Sequence, residues 1–181
     1  MPSVDRLFTV DDVRAMPDDG RRYEVIGGEL FVTPAPSPRH QTVLGRMYVA
    51  LFTYVERHRL GRAWVAPLDV VLGPMTLVEP DILFVGAARL SVVTERDVSG
   101  APDLAIEVLS PTTVRTDRGR KRALYQEQGV GEYWVVDPVE NVVEIWRPGA
   151  PAASVRRDRV LWRPEATIDP LLIDLAALFA P

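Results

Sequence analysis

The chain of 181 residues carries 25 acidic side chains against 21 lysines and arginines, a net charge of −4, and 47% of its residues are hydrophobic. That length and hydrophobic content suit one globular domain, read as spanning residues 1–181, with material for a real core. There is no cysteine and there are two histidines, His40 and His58, so disulfides and thiolate metal sites are excluded and a His-rich zinc site is disfavoured. Net acidity argues against a protein that coats nucleic acid indiscriminately, while leaving room for a local basic groove. No apolar run reaches the length needed to span a bilayer, and the first six residues hold an early acid and no apolar core, unlike an export signal. The expectation is a cytoplasmic protein with no membrane contact and no disulfide-linked partner.

In chain order, Thr9 is placed to cap a short helix running to about Met16, with Asp11 and Asp12 in its first turn. Pro17 and Gly20 end it. Segments 23–26 and 29–32 flank Gly27-Gly28, the pattern of a tight β-hairpin. The run Thr33-Pro-Ala-Pro-Ser-Pro38 predicts a stiff loop whose Ser37 caps a helix with Pro38 at its first position. That helix is expected over 39–58, where Val43, Met47, Ala50, Leu51 and Tyr54 form an apolar stripe, with Gly61 as its stop. Strands are expected at 63–72, 78–85 and 102–109. The last contains Leu104-Ala105-Ile106 and Val108-Leu109, apolar enough for a strand covered on both faces.

Thr116 or Asp117 is placed to cap a helix over 118–128, closed by Gly129. Strands at 132–136, 142–146 and 159–162 follow, and a short helix at 174–179. Segment 148–154 is a loop rather than a domain boundary. Trp64, Trp134, Trp146 and Trp162 all fall in strand-like runs and read as core or interface residues, not base-stacking platforms. Helix, three strands, helix, strand predicts an α/β domain around a mixed sheet.

One lysine, Lys121, stands among twenty arginines. Composition alone leaves two readings: codon bias, or a position that needs the compact ammonium and the movable pKa that Arg lacks. Upstream, Asp81 follows Pro80 at the start of one strand and Glu107 lies near the end of the next. Neighbouring strands are about 5 Å apart, so two such carboxylates can share a cation. Without Cys or a His cluster, carboxylates favour a hard ion, Mg²⁺ or Mn²⁺. Such an ion lowers the pKa of a bound water and stabilises a pentavalent phosphate, and a nearby Lys orients that water or offsets developing charge.

The run Pro102-Asp-Leu-Ala-Ile-Glu-Val-Leu-Ser-Pro-Thr-Thr113, followed by Asp117, Lys121, Tyr125 and Gly129-Val-Gly-Glu-Tyr-Trp-Val-Val-Asp-Pro138, closely resembles the Uma2 family. These are restriction-endonuclease-like proteins of the PD-(D/E)xK nuclease superfamily. Tyr23-Glu-Val-Ile-Gly-Gly-Glu-Leu30, Thr33-Pro-Ala-Pro-Ser37, His40 and Val78-Glu-Pro-Asp-Ile-Leu-Phe-Val85 resemble the same family, which extends the likeness from about Leu7 to Phe179. The resemblance implies an αβββαβ core with a mixed central sheet flanked by helices, an N-terminal hairpin and C-terminal edge strands. It implies a metal-dependent endonuclease acting on DNA. Asp81 and Glu107 would be the metal ligands together with the backbone carbonyl of Val108, and Lys121 the third catalytic residue. The superfamily's usual Lys lies two positions after the Glu, where this chain has Leu109, so the role is expected to have moved to the following helix. Asp103 is the competing aspartate; it shares a strand face with Glu107 but lies about 13 Å along the strand, and Asp81 is preferred.

Four further residues are weaker candidates to support the site: Glu24, His40, Asp117 and Tyr125. Exposed hairpin carboxylates such as Glu24 and Glu29 are more often solvated, and Tyr125 reads first as helix packing. His58, near a helix C-terminus, reads as a charge–dipole contact. Arg115, Arg118, Arg120 and Arg122 are candidate phosphate contacts, or simply a solvated helix start. Relatives of this kind often dimerise, so a homodimer is expected, and Ala substitution of Glu107 or Lys121 is expected to abolish cleavage at little cost in stability. The alternative is a nucleic-acid-binding or protein-interaction module that kept the fold without the chemistry. No Walker-type phosphate loop or base-reading motif is present in the sequence.

Overall fold

The computed structural model describes residues 6–181; the first five residues, part of the stretch judged unlike an export signal, lie outside the described residues. Helix α1 (Val10–Arg14) starts at Thr9, whose side chain accepts from the Asp12 amide while the Asp12 carboxylate accepts from the Thr9 amide, a closed capping box. The hairpin is β1 (Arg22–Ile26) and β2 (Glu29–Thr33), in register across Gly27-Gly28, both at positive φ. Helix α2 (Pro38–His58) begins as expected, with the Ser37 hydroxyl accepting from the His40 amide. It ends at His58 as expected, but the left-handed stop is Arg59, with φ 54°, and not Gly61 two positions later.

The two long expected strands each break in the middle. Segment 63–72 becomes β3 (Gly61–Val65) and β4 (Val70–Gly73), and 78–85 becomes β5 (Thr76–Val78) and β6 (Ile82–Gly86). The breaks fall at Pro67 and Pro80, residues without an N–H to continue a ladder. Consequently there are two large sheets in place of one. The hairpin sheet runs β2-β1-β5-β4-β7, where β7 is Val98–Ser99. The central sheet runs β11-β10-β9-β8-β6-β3, with β8 Leu104–Val108, β9 Glu132–Asp137, β10 Val142–Trp146 and β11 Ser154–Arg156. Of the expected C-terminal strands, 142–146 lies inside the central sheet as β10, and β12 (Arg159–Trp162) pairs outside it with β13 (Leu171–Asp174), a strand the sequence did not announce; β11 forms the C-terminal edge of the central sheet. Helix α4 (Leu175–Leu178) closes the described chain, capped by Asp174.

The core order α2-β3-β6-β8-α3-β9 is the expected one, with α3 at Arg122–Glu127. Strands β8 and β9 are parallel, as a helical crossover requires, whereas β3 and β8 each run antiparallel to β6 between them. The central strands are buried on both faces. Ile82, Phe84, Leu104, Ile106, Val108 and Trp134 pack toward α2 and the β12–β13 pair. Their alternates Leu83, Val85, Ala105 and Val135 pack toward α3 and the hairpin sheet.

The crossover does not begin with the expected cap. Residues Thr116–Lys121 form one π-helical turn, entered from Arg115 with no side-chain cap, and both Thr116 and Asp117 lie inside it. Such widened turns occur often at functional positions.

Candidate active site

The β6–β8 register pairs Ile82 with Ile106, so one step further it sets Asp81 across from Glu107. Directly opposed residues of an antiparallel pair point to the same face with Cβ atoms about 5 Å apart. Three donors fix Asp81. Arg22 Nη1 lies 2.8 Å from its Oδ1, while His40 Nε2 at 3.0 Å and the Val108 amide at 2.8 Å meet its Oδ2. Burial works against ionisation of Asp81, but the His40 hydrogen bond and the charges of Arg22 and His40 outweigh it and hold the carboxyl at about 2.

Lys121 reaches the same pocket from the π-turn. Its Nζ lies 2.9 Å from Glu107 Oε1, 2.8 Å from Glu24 Oε1 and 3.9 Å from Asp117 Oδ1. The widened turn brings Asp117 and Lys121, four residues apart, inward together; both are at most 5% exposed. The Tyr125 hydroxyl donates to Glu107 Oε1 at 3.3 Å, and the Tyr133 hydroxyl donates to the Asp117 carbonyl at 3.0 Å. Glu24 Oε1 also accepts from the Glu79 amide at 2.7 Å, which ties β1 to the turn before β6.

Burial pushes Glu107 well above the ordinary carboxyl range; Lys121 opposes this, but Asp117, Asp81 and Glu24 add to it. Asp117 is raised to about 6, mainly by burial. For Lys121 burial works downward, yet Glu107 and Glu24 overcome it and its pKa rises well above the usual lysine value. The movable pKa anticipated for this lysine therefore moves up: in this arrangement it is a fixed cation, not a proton donor to water.

Four carboxyls, Glu24, Asp81, Glu107 and Asp117, line one cavity of about 240 Å³ with two permanent cations, Arg22 and Lys121. The excess of negative groups is what a divalent cation would offset. Among the described residues no three Asp, Glu or His side chains converge as a ready-made ligand shell. A hard divalent ion needs no such shell, since one or two carboxylates with water and phosphate suffice. The donor set fits Mg²⁺ or Mn²⁺.

All of Asp81, Glu107, Lys121, Glu24, His40, Asp117 and Tyr125 therefore meet. Glu29 does not; its side chain is 63% exposed and faces Arg120 at 3.7 Å. Asp103 sits at the far end of β8, where its carboxylate accepts from the Gly86 amide and from Arg89 Nη1. Most of the basic run is used internally. Arg118 pairs with Glu144 and Asp137, Arg120 reaches Glu29 and the Ile26 carbonyl, and Arg122 lies 4.8 Å over the Trp146 ring. Arg115, which is exposed, is the one of the four outside these contacts. Arg22 was not anticipated, although it stands two residues before Glu24 on β1 and so shares its face. Glu79, raised to about 7 by burial and then by Glu24 and Asp69, was also missed.

No helix among the described residues is long and apolar enough to cross a membrane. A search of curated proteins gave no match. Among solved structures, a protein from Anabaena variabilis ATCC 29413, described as "a putative nuclease belonging to DUF820", superposes with a TM-score of 0.77 at 22% identity, over 96% of this chain and 98% of that one. That likeness establishes the fold. The sequence model of Uma2, described as "Putative restriction endonuclease", matches residues 10–176, and the chain belongs to that family.

Proposed function

We propose that this chain, as a single functional unit in the cytoplasm, is a metal-dependent endonuclease that hydrolyses phosphodiester bonds in DNA. The observation that carries the reading is Asp81 opposed to Glu107 across β6 and β8, with the ammonium of Lys121 on Glu107. Asp81 and Glu107 would hold Mg²⁺ or Mn²⁺. The Val108 carbonyl is a third ligand in this reading: its amide is turned to Asp81, and a strand residue directs N–H and C=O to the same side. The ion supplies an activated water and charge neutralisation at the phosphate.

The protein's own groups do the rest. Arg22 and His40 keep Asp81 ionised and aimed. Lys121 brings a positive charge beside the reacting phosphate, where it offsets charge developing in the transition state. Tyr125, Glu24 and Asp117 hold Lys121 and Glu107 in place. Leu109, at the superfamily's lysine position, is buried in the core, and the shift of the lysine to Lys121 leaves the cation on the same carboxylate.

The test is nicking of supercoiled plasmid and cutting of single-stranded DNA with Mn²⁺, Mg²⁺ or EDTA, against Glu107→Gln and Lys121→Ala. Metal-dependent cleavage lost in both variants is expected; equal cleavage by either would remove that residue from the mechanism. A second reading, a binding module without chemistry, is favoured by one observation: Lys121 already bridges Glu107 and Glu24 with no other cation needed. Calorimetric titration with Mn²⁺ separates the two, because a module of that kind gives no heat that depends on Asp81.

A further inference from the structure

Arg22, His40 and Asp81 form a partition, since each faces both the cavity of about 240 Å³ and a second one of about 510 Å³. The rigid Pro34-Ala35-Pro36 run borders both. The first cavity is smaller than the roughly 300–1,000 Å³ of pockets that enclose a small organic ligand. It has room for a phosphodiester with its ion and waters, but not for a sugar and base as well. The second has that room. Its apolar surface comes from Leu44, Val65 and Pro67, and Gln41 is exposed at its edge. Glu79 lines it too, and Glu79 Oε2 is buried with no hydrogen-bond partner among the described residues. A buried acceptor left unpaired is costly, and an incoming N–H recovers that cost.

We propose that the second cavity receives an unstacked nucleobase beside the scissile phosphate, and that Glu79 accepts from the exocyclic amino group of that base. This rests on the endonuclease reading for the position of the phosphate. Carboxylates pair with the cytosine amino group, and bases are read in this way when they are splayed from a single strand. The substrate is therefore single-stranded or locally unpaired DNA, with cytosine preferred to uracil at the pocket.

The experiment measures binding, by fluorescence anisotropy with Ca²⁺, of short oligodeoxycytidylate and oligodeoxyuridylate, whose bases present a 4-amino group beside an acceptor N3 and a 4-oxo group beside N3–H, respectively. A mixed-sequence strand and its duplex are measured beside them, and relative cleavage rates are taken in Mn²⁺. Expected are tighter binding of single strand than duplex and a roughly tenfold preference for cytosine, falling to about twofold in Glu79→Gln. The ratio cancels any general loss of stability or activity in the variant. Equal affinity for the two strands, a ratio unchanged in Glu79→Gln, or a preference for duplex overturns the base pocket; metal-dependent cleavage in that case leaves the endonuclease reading standing. Base preference in binding with no cleavage in any metal keeps the pocket and sinks the endonuclease reading. Failure to bind any strand overturns the pocket.

Discussion

Lys121 Nζ lies 2.8 Å from Glu24 Oε1, an ion pair that joins the hairpin sheet to the π-turn between β8 and β9. Both side chains are almost fully buried, so the pair sets where the ammonium sits relative to Glu107. Glu24→Gln keeps the shape and removes the charge. Loss of a partner that orients a site group typically costs about 10–100-fold in activity or metal affinity. DNA cleavage by Glu24→Gln should fall by that factor, with Lys121 still present; parental rates across a Mg²⁺ titration would show that the clamp is structural only.

Ala substitutions in this cluster should not be silent in stability, contrary to the expectation from sequence. Lys121 is 5% exposed and neutralises carboxyls on three elements. Lys121→Ala leaves them buried without it, at a cost of about 3–5 kcal/mol by analogy with broken buried pairs. Glu107→Gln is nearly isosteric and leaves the lysine other partners, so it should stay close to the parent in denaturant midpoint while losing cleavage. Urea unfolding of the two variants side by side checks this; a Lys121→Ala midpoint equal to the parent's would show that solvent reaches the cluster.

Two raised carboxyls set a pH dependence. Asp117 titrates at about 6 against an ordinary 3.8, and Glu79 at about 7 against 4.5, both chiefly because of burial. Between the ordinary and the raised value the folded state holds a proton that the unfolded state has released, so stability falls as pH rises through that window. Unfolding free energy should therefore decline from about pH 4 to about pH 7, and Glu79→Gln should flatten the upper part of the decline. Burial also raises Glu107, one of the two carboxyls proposed to hold the ion, so Mg²⁺ should raise Tm more at about pH 8 than at about pH 5, where protons compete harder for its oxygens. A Mg²⁺ shift independent of pH would argue against binding at Glu107.

Two glycines separate backbone strain from collision. Gly61 has φ +147°, and a Cβ there would stand 2.1 Å from the Val85 carbonyl oxygen. Gly73 has φ +153° and open space around it. Gly73→Ala should cost about 1–3 kcal/mol from strain alone, and Gly61→Ala clearly more, since β3 cannot then approach β6. Equal thermal shifts in the two variants would mean that the edge strand gives way easily.

Much of this was legible in the chain. Lys121 stood out as the one lysine among twenty arginines, and Asp81 and Glu107 as acids in strand-like runs that sheet register then sets opposite each other. Glu24 read as solvated because a hairpin is normally exposed on one face; nothing local reveals that β1 lies between β2 and β5 inside a five-stranded sheet. Arg22 was missed although the two-residue spacing to Glu24 was visible. Apolar continuity across Pro67 and Pro80 hid the breaks that create a second sheet, where the absent proline N–H was the better guide. The π-turn left no trace, since Thr116–Lys121 has the composition of an ordinary exposed helix start. The basic run was legible as charge, but its internal partners Glu144, Asp137 and Trp146 come from β9 and β10, beyond the reach of local reasoning.

The division of labour between the sheets has an evolutionary consequence. Asp81, Glu107 and Val108 belong to the central sheet or the turn entering it, whereas Arg22 and Glu24 come from the hairpin sheet. The hairpin can therefore drift in sequence or lengthen among descendants while the backbone that sets Asp81 opposite Glu107 stays untouched. Each such change would retune the charge around one lysine and reshape one wall of the cavity, giving related chains a means to vary what that cavity admits.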